Sequence, residues 1–173
     1  ADRAGTVPGG FGLYVHWPFC VSKCPYCDFN SHVADAVDQD AWRAGLLAEL
    51  DHYGTKTKRR RLESVFFGGG TPSLMPAETA AAILNALPDY WDVPADVEIT
   101  LKANPSSVEA RKFRDFKVAG INRVTWDAEQ RLVAQELGVV IPARAGKFRR
   151  YAIQVGERLA NAGGLISGQD VRH

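Results

Sequence analysis

The sequence predicts an α/β fold, a partial (β/α) barrel in which parallel strands alternate with helices. Two observations support it. Segments rich in β-forming residues alternate with segments of helical periodicity three times, and a fourth strand then begins, which gives about three and a half βα units. The cysteine-rich and glycine-rich segments each follow a predicted strand directly. Loops after the carboxyl ends of parallel strands share one face, so we expect these segments to converge on a single site.

The first βα unit begins with a predicted strand over residues 13–17, which Pro18 ends. A cysteine-rich loop follows. The first helix begins near Asp40, where apolar residues recur at helical spacing. The second unit has a short apolar strand over residues 64–67, a glycine loop, and a helix over residues 77–87.

The third unit begins with a strand over residues 97–101. Ser106 and Glu109 form a capping box that predicts the start of the third helix, and Gly120 ends that helix. Residues 123–125 then begin the fourth strand.

Composition indicates a globular protein without a special electrostatic role. The chain has 173 residues, 46% hydrophobic and 24% charged, with a net charge of +1. This balance gives no reason to expect a nucleic acid partner. No apolar stretch approaches the roughly 20 residues of a membrane span. Clustered cysteines without a secretory signal are typical of a reducing compartment, so we expect a cytoplasmic protein.

Three cysteines within eight residues, Cys20, Cys24 and Cys27, are the whole cysteine content of the chain. Thiolates at this spacing suit an iron–sulfur cluster or zinc. Cubane clusters normally take four thiolates, so three would leave one iron open to a small molecule. A zinc site would instead need a fourth ligand, for which His16 and His32 are the nearby candidates.

Four segments resemble the radical S-adenosylmethionine (SAM) proteins of haem metabolism, which include the oxygen-independent coproporphyrinogen III oxidases and the haem chaperone HemW. The first is Leu-Tyr-Val-His-Trp-Pro-Phe-Cys-Val-Ser-Lys-Cys-Pro-Tyr-Cys-Asp-Phe-Asn over residues 13–30. The others are Phe-Gly-Gly-Gly-Thr-Pro-Ser (67–73), Glu-Ile-Thr-Leu-Lys-Ala-Asn-Pro (98–105) and Gly-Ile-Asn-Arg (120–123). The resemblance implies a partial radical SAM core over residues 11–124.

This resemblance implies that the three cysteines hold three irons of a [4Fe–4S] cluster and that SAM chelates the fourth. In the family, an electron from the cluster then cleaves SAM to a 5′-deoxyadenosyl radical. Six residues match SAM-contacting positions of the family: Tyr14, Tyr26, Gly69, Gly70, Thr71 and Lys102. Without the cysteines, the glycines would indicate only a tight turn and the tyrosines only packing.

Phe29 distinguishes between the two branches of the family. The coproporphyrinogen oxidases have an additional cysteine at this position, whereas the sequence Cys-Asp-Phe-Asn resembles HemW. The resemblance therefore favours haem binding and delivery, with SAM, haem or porphyrin, and a haem-acceptor protein as partners. A coproporphyrinogen-oxidase-like enzyme, a structural zinc module and an inactive truncated fragment remain as alternatives, and we assign no catalytic residue.

The chain departs from the family pattern at two places. Lys102 stands where the family usually has a glutamate that faces SAM, so a charge is reversed. After Arg123 the family pattern Ser-x-Gly-x-Gln-Ser is replaced by Thr-Trp-Asp-Ala-Glu-Gln over residues 125–130. Codons for this segment, displaced by one base, permit Leu-Gly-Met-Gln-Ser.

We therefore hypothesise that residues 125–173 form an atypical tail, either frameshifted or disordered. Within this tail, residues 131–137 and 151–159 are compatible with helices. Because the tail lacks further strand–helix units, we also expect open edges on both sides of the parallel sheet.

Overall fold

The computed structural model describes residues 10–22, 31–34, 36–103, 107–125 and 152–156. Its strands are β1 (Gly12–Trp17), β2 (Phe19–Cys20), β3 (His32–Val33), β4 (Ser64–Gly69), β5 (Glu98–Lys102), β6 (Arg123–Thr125) and β7 (Ala152–Val155). Its α-helices are α1 (Gln39–Lys56), α2 (Ala77–Ala86) and α3 (Ser107–Ala119). Short 3₁₀ turns cover Pro72–Leu74 and Leu87–Asp89.

Five strands form one sheet in the order β6-β5-β4-β1-β7, and every neighbouring pair is parallel. The predicted α/β fold with a parallel sheet is confirmed. The helices α1, α2 and α3 follow β1, β4 and β5 in the predicted order. Asp38 begins α1, because its side chain accepts a hydrogen bond from the Ala41 amide at 2.9 Å.

The two faces of the sheet differ in character because side chains alternate along each strand. One face consists of apolar side chains that are at least nine-tenths buried: Leu13, Val15, Trp17, Val65, Phe67, Ile99 and Leu101. They belong to one core with Trp42, Leu46 and Leu50 of α1. The opposite face therefore carries the alternate set, Tyr14, His16, Phe66, Thr100 and Lys102, which is richer in polar groups.

A segment of the predicted tail takes part in the sheet. β7 pairs in parallel with β1, with Gly12 opposite Ala152 and Val15 opposite Val155. The helix with which the sequence of residues 151–159 is compatible is not formed at 152–155, and the prediction of an open edge beside β1 is wrong. Both fail because the pairing joins segments far apart in sequence. The remaining tail, residues 126–151 and 157–173, lies outside the described residues.

Glu49 of α1 holds the end of β7, since its Oε2 accepts a hydrogen bond from the Gly156 amide at 2.6 Å. None of the helices in the described part of the chain combines the length and the apolar character needed to cross a bilayer.

Candidate functional site

The two ends of the cysteine loop, β2 and β3, lie side by side after the carboxyl end of β1. β2 and β3 form a two-stranded parallel ladder in which Phe19 lies opposite His32 and Cys20 opposite Val33. The His32 amide also donates a hydrogen bond to the Pro18 carbonyl at 2.7 Å. This ladder fixes the backbone of Cys20, the first of the three cysteines, against the return of its own loop.

The glycine loop after β4 is bound to the same stretch of chain. The Gly70 amide donates to the Trp17 carbonyl at 2.7 Å, and the Thr71 amide donates to the Phe19 carbonyl at 2.9 Å. The Thr71 hydroxyl lies 3.6 Å from Sγ of Cys20 and donates a hydrogen bond to it. The predicted convergence of these two loops is thus observed for Cys20, Gly70 and Thr71.

Steric contacts explain why two of the loop positions are glycine. A Cβ on Gly70 would lie 2.7 Å from Sγ of Cys20 and 2.8 Å from the Phe19 carbonyl oxygen. Gly69 has φ +105°, and its Cβ would lie 2.6 Å from the Trp17 carbonyl oxygen. Gly70 therefore forms a cradle against the Cys20 sulfur, and Gly69 lets the same loop approach the Trp17 carbonyl; a side chain at either position would overlap these atoms.

This cradle fits a thiolate-bound metal cluster. Cys20 is part-exposed and its sulfur accepts a hydroxyl hydrogen bond, which suits a thiolate ligand better than a buried thiol. Cys24 and Cys27, the other two predicted ligands, lie outside the described residues, as do Tyr26 and Phe29. In the described ranges, no group of three or more His, Cys, Asp or Glu side chains is placed to hold a metal ion.

Tyr14 lies on the polar face of the sheet, where its hydroxyl is 3.3 Å from Nδ1 of His16. Its ring stacks on Phe66 of the neighbouring strand, with centroids 6.0 Å apart and planes inclined by 10°. A Cβ on Gly68 would lie 2.6 Å from the Tyr14 ring, so the absence of a side chain at Gly68 leaves room for this ring. The sequence motifs do not indicate His16 as the partner of Tyr14, although a spacing of two residues places both side chains on one face of a strand.

Lys102 ends β5, opposite Thr125 of β6. The preceding residue, Leu101, lies opposite Phe67 of β4, so Lys102 is level with Gly68 at the start of the glycine loop. Lys102 is half-buried. Six of the nine predicted site residues lie in the described ranges. Five of them, Cys20, Gly69, Gly70, Thr71 and Lys102, lie at the carboxyl edge of the sheet, whereas Tyr14 lies two residues after the start of β1.

Curated proteins similar to this chain include members of two named groups. The radical S-adenosyl methionine domain-containing protein 1, mitochondrial, of Bos taurus is 46% identical over 113 residues, covering 65% of this chain and 26% of its own. The heme chaperone HemW of Haemophilus influenzae is 45% identical over 118 residues, covering 65% and 31%. HemW of Mycobacterium tuberculosis H37Rv is 35% identical over 152 residues, covering 84% and 39%.

Among solved structures, the chain resembles the Escherichia coli coproporphyrinogen III oxidase HemN, described as a radical SAM enzyme. The TM-score is 0.60 at 26% identity, over 70% of this chain and 28% of that one. The chain thus spans between about a quarter and two fifths of the length of these relatives.

The family model for the radical SAM superfamily matches residues 14–130, which include all three cysteines and the glycine loop. A radical SAM domain implies a [4Fe–4S] cluster and SAM in general terms. Because this match covers more than half of the chain, the chain belongs to the radical SAM superfamily.

Proposed function

We propose that this chain binds a [4Fe–4S] cluster through Cys20, Cys24 and Cys27, and SAM at the iron that these cysteines leave open. The observation that supports the proposal most is the docking of the glycine loop on the first cysteine, where the Thr71 hydroxyl donates to Sγ of Cys20 at 3.6 Å. When bound, the cluster and SAM supply a one-electron cleavage of a carbon–sulfur bond, which protein side chains cannot perform alone.

The described residues suit three tasks around this site. Gly69 and Gly70 allow the glycine loop to pack directly on Trp17 and on the first cysteine, because a Cβ on either glycine would overlap the atoms already there. Tyr14 presents an aromatic ring and a hydroxyl on the polar face of the sheet. Lys102 places a cation at the same edge, where it can meet the SAM carboxylate or oppose the SAM sulfonium. Tyr26 is proposed as a second aromatic contact.

For the whole protein, we propose a cytoplasmic, HemW-like role, in which haem is bound and passed to an acceptor protein. The HemW names of the relatives from H. influenzae and M. tuberculosis support this choice. Phe29, at the position where the oxidases have a cysteine, supports it independently. The second candidate is a coproporphyrinogen-oxidase-like enzyme, which the structural similarity to HemN favours.

Anaerobic reconstitution of the full chain with iron and sulfide tests the cluster. The chain has only three cysteines, so a cubane cannot be closed by a fourth thiolate of the same chain. We expect a brown species, and an electron paramagnetic resonance signal of the reduced cluster that shifts on addition of SAM. Replacing any one of the three cysteines by serine should abolish the signal. A colourless protein that retains zinc would support the structural zinc module instead.

The haem role is tested separately on the reconstituted chain. Titration with haemin, followed by the Soret absorbance, should show saturable binding, and porphyrinogen should not be decarboxylated in the presence of SAM and a reductant. Decarboxylation would favour the oxidase. Absence of both haem binding and decarboxylation would restrict the function of this chain to cluster and SAM binding.

A further inference from the structure

The contact between Thr71 and Cys20 connects two loops that are 51 positions apart in sequence. The donor is a hydroxyl and the acceptor is a sulfur, for which 3.6 Å is within hydrogen-bonding range because sulfur is larger than oxygen. A neutral thiol accepts such a bond weakly, whereas a thiolate accepts a charge-assisted one. The contact therefore matters most when Cys20 is a thiolate.

The backbone holds the hydroxyl in this position from both sides. The Thr71 amide donates to the Phe19 carbonyl at 2.9 Å, and the Thr71 carbonyl accepts from the Leu74 amide at 3.0 Å in the following turn. Gly70 allows the two loops to come into contact, because a Cβ there would overlap the Cys20 sulfur and the carbonyl oxygens of Pro18 and Phe19. Threonine is also restricted at χ1, so its hydroxyl is pre-oriented.

We propose that Thr71 is a positioning residue for the cluster, whose hydroxyl raises the cluster's reduction potential by donating a hydrogen bond to the Cys20 thiolate. Reduction adds one electron, and part of the added negative charge lies on the sulfur ligands. A donor aimed at one of those sulfurs stabilises the reduced state more than the oxidised state. This inference rests on the proposed function, because it requires a cluster on Cys20.

The role differs from the SAM contact predicted for Thr71. A SAM contact changes SAM affinity, whereas the proposed hydrogen bond changes the potential of the cluster before SAM is added. The two roles are compatible, since the hydroxyl meets the sulfur while the rest of the loop stays available.

The test is a redox titration of the anaerobically reconstituted full chain, monitored by electron paramagnetic resonance. Thr71→Val keeps the shape of the side chain and removes the hydroxyl. It should lower the equilibrium constant for one-electron reduction of the cluster by up to about tenfold, which is a fall in midpoint potential of up to about 59 mV. Thr71→Ala should lower it in the same direction. Thr71→Ser, which keeps a hydroxyl, should stay near the wild-type value.

Thr55→Val is the matched control, because Thr55 is an exposed residue of α1 whose hydroxyl donates only to helix carbonyls, those of Asp51 and His52. This variant should have the wild-type potential. A wild-type potential in a cluster-loaded Thr71→Val or Thr71→Ala protein overturns the proposal. It is also overturned if neither variant takes up the cluster that the wild type and Thr71→Ser hold, since the hydroxyl would then be needed for assembly. Failure of the wild type itself to take up a cluster refutes the proposed function as well.

Discussion

The hydroxyl of Tyr14 and Nδ1 of His16 lie 3.3 Å apart on one face of β1, and both side chains press against the glycines of β4. A Cβ on Gly68 would lie 2.6 Å from the Tyr14 ring, and a Cβ on Gly69 would lie 3.0 Å from the His16 ring. His16 is only 5% exposed, so its ring has little freedom to move. The histidine therefore fixes the direction in which the tyrosine hydroxyl points.

Tyr14→Phe should weaken SAM binding while leaving the cluster in place. The substitution keeps the ring that stacks on Phe66 and removes only the hydroxyl. We expect the variant to lose the proposed hydrogen bond between the Tyr14 hydroxyl and SAM, which is worth about 0.5–1.5 kcal/mol. The dissociation constant for SAM should therefore rise by about two- to tenfold. Calorimetric titration of the reconstituted protein under anaerobic conditions measures it.

Tyr90→Phe is the control for this prediction. Its hydroxyl donates to Asp51 at 2.9 Å, near the end of α1 and away from the cysteine loop. SAM affinity should not change in this variant. Equal SAM affinity in Tyr14→Phe and the wild type would remove Tyr14 from the proposed site.

Lys102→Glu should tighten SAM binding. Lys102 is half-buried at the end of β5, level with Gly68, and a cation there opposes the positively charged sulfonium and ammonium groups of SAM. Two unit charges 4 Å apart interact by about 1 kcal/mol in water and about 4 kcal/mol near a protein surface. Reversal of the charge should therefore lower the dissociation constant by at least about fivefold.

Lys117→Glu is the control for the change in net charge, because Lys117 is an exposed residue of α3. That variant should bind SAM as the wild type does, and Lys102→Gln should lie between the wild type and Lys102→Glu. If Lys102→Glu instead weakens binding, the lysine engages the SAM carboxylate.

The local pattern of the sequence predicted the strands and helices that form the site. β1, β4 and β5 have enough consecutive β-forming residues to be recognised, and each is followed by a loop of distinctive composition. The rule that parallel strands end at one edge was then sufficient to bring Cys20 together with Gly70 and Thr71. The individual hydrogen bonds between these loops depend on backbone geometry that the pattern does not contain.

Two pairings could not be predicted because they depend on contacts between distant segments. β2 and β3 have two residues each, too few for any periodicity to be seen. β7 has the sequence Ala-Ile-Gln-Val, in a segment whose apolar residues also fit a helix. Its strand conformation comes from pairing with β1 and from the hydrogen bond between Glu49 and Gly156, which are 107 positions apart.

Gly70→Ala should reduce cluster loading and destabilise the fold. The added Cβ would meet two backbone carbonyl oxygens and the Cys20 sulfur at 2.7–2.9 Å, and backbone atoms cannot move aside without displacing the cysteine loop. Overpacking of this kind typically costs about 1–3 kcal/mol. Urea unfolding measures the stability, and the iron and sulfide content after reconstitution measures the loading.

Gly12→Ala is the matched substitution on β1. There the added Cβ would lie 3.0 Å from the Ser64 hydroxyl, the end of a small side chain that can rotate away. Gly12→Ala should load the cluster normally. If Gly70→Ala also loads the cluster normally, the glycine loop can move away from the Cys20 sulfur without loss of the cluster, and the proposed cradle against the sulfur is wrong.

Gly156→Ala should detach β7 from the sheet. Gly156 has φ +93°, where a side chain is strained, and the added Cβ would lie 2.5 Å from the His16 carbonyl oxygen. We expect a loss of about 1–3 kcal/mol in the free energy of unfolding. Faster amide hydrogen exchange should appear in β1, whose edge would be uncovered.

Glu49→Ala removes the other half of the same contact and should act in the same direction, because the Gly156 amide loses its acceptor. Glu78→Ala on α2 is the control, because it also replaces a glutamate of a helix by alanine but at an exposed position. The three variants are compared by urea unfolding and by the exchange rates of the β1 amides. If Gly156→Ala and Glu49→Ala both match Glu78→Ala in these two measurements, residues 152–156 do not pair with β1 in solution. In that case the edge of the sheet beside β1 is open, as the sequence alone predicted.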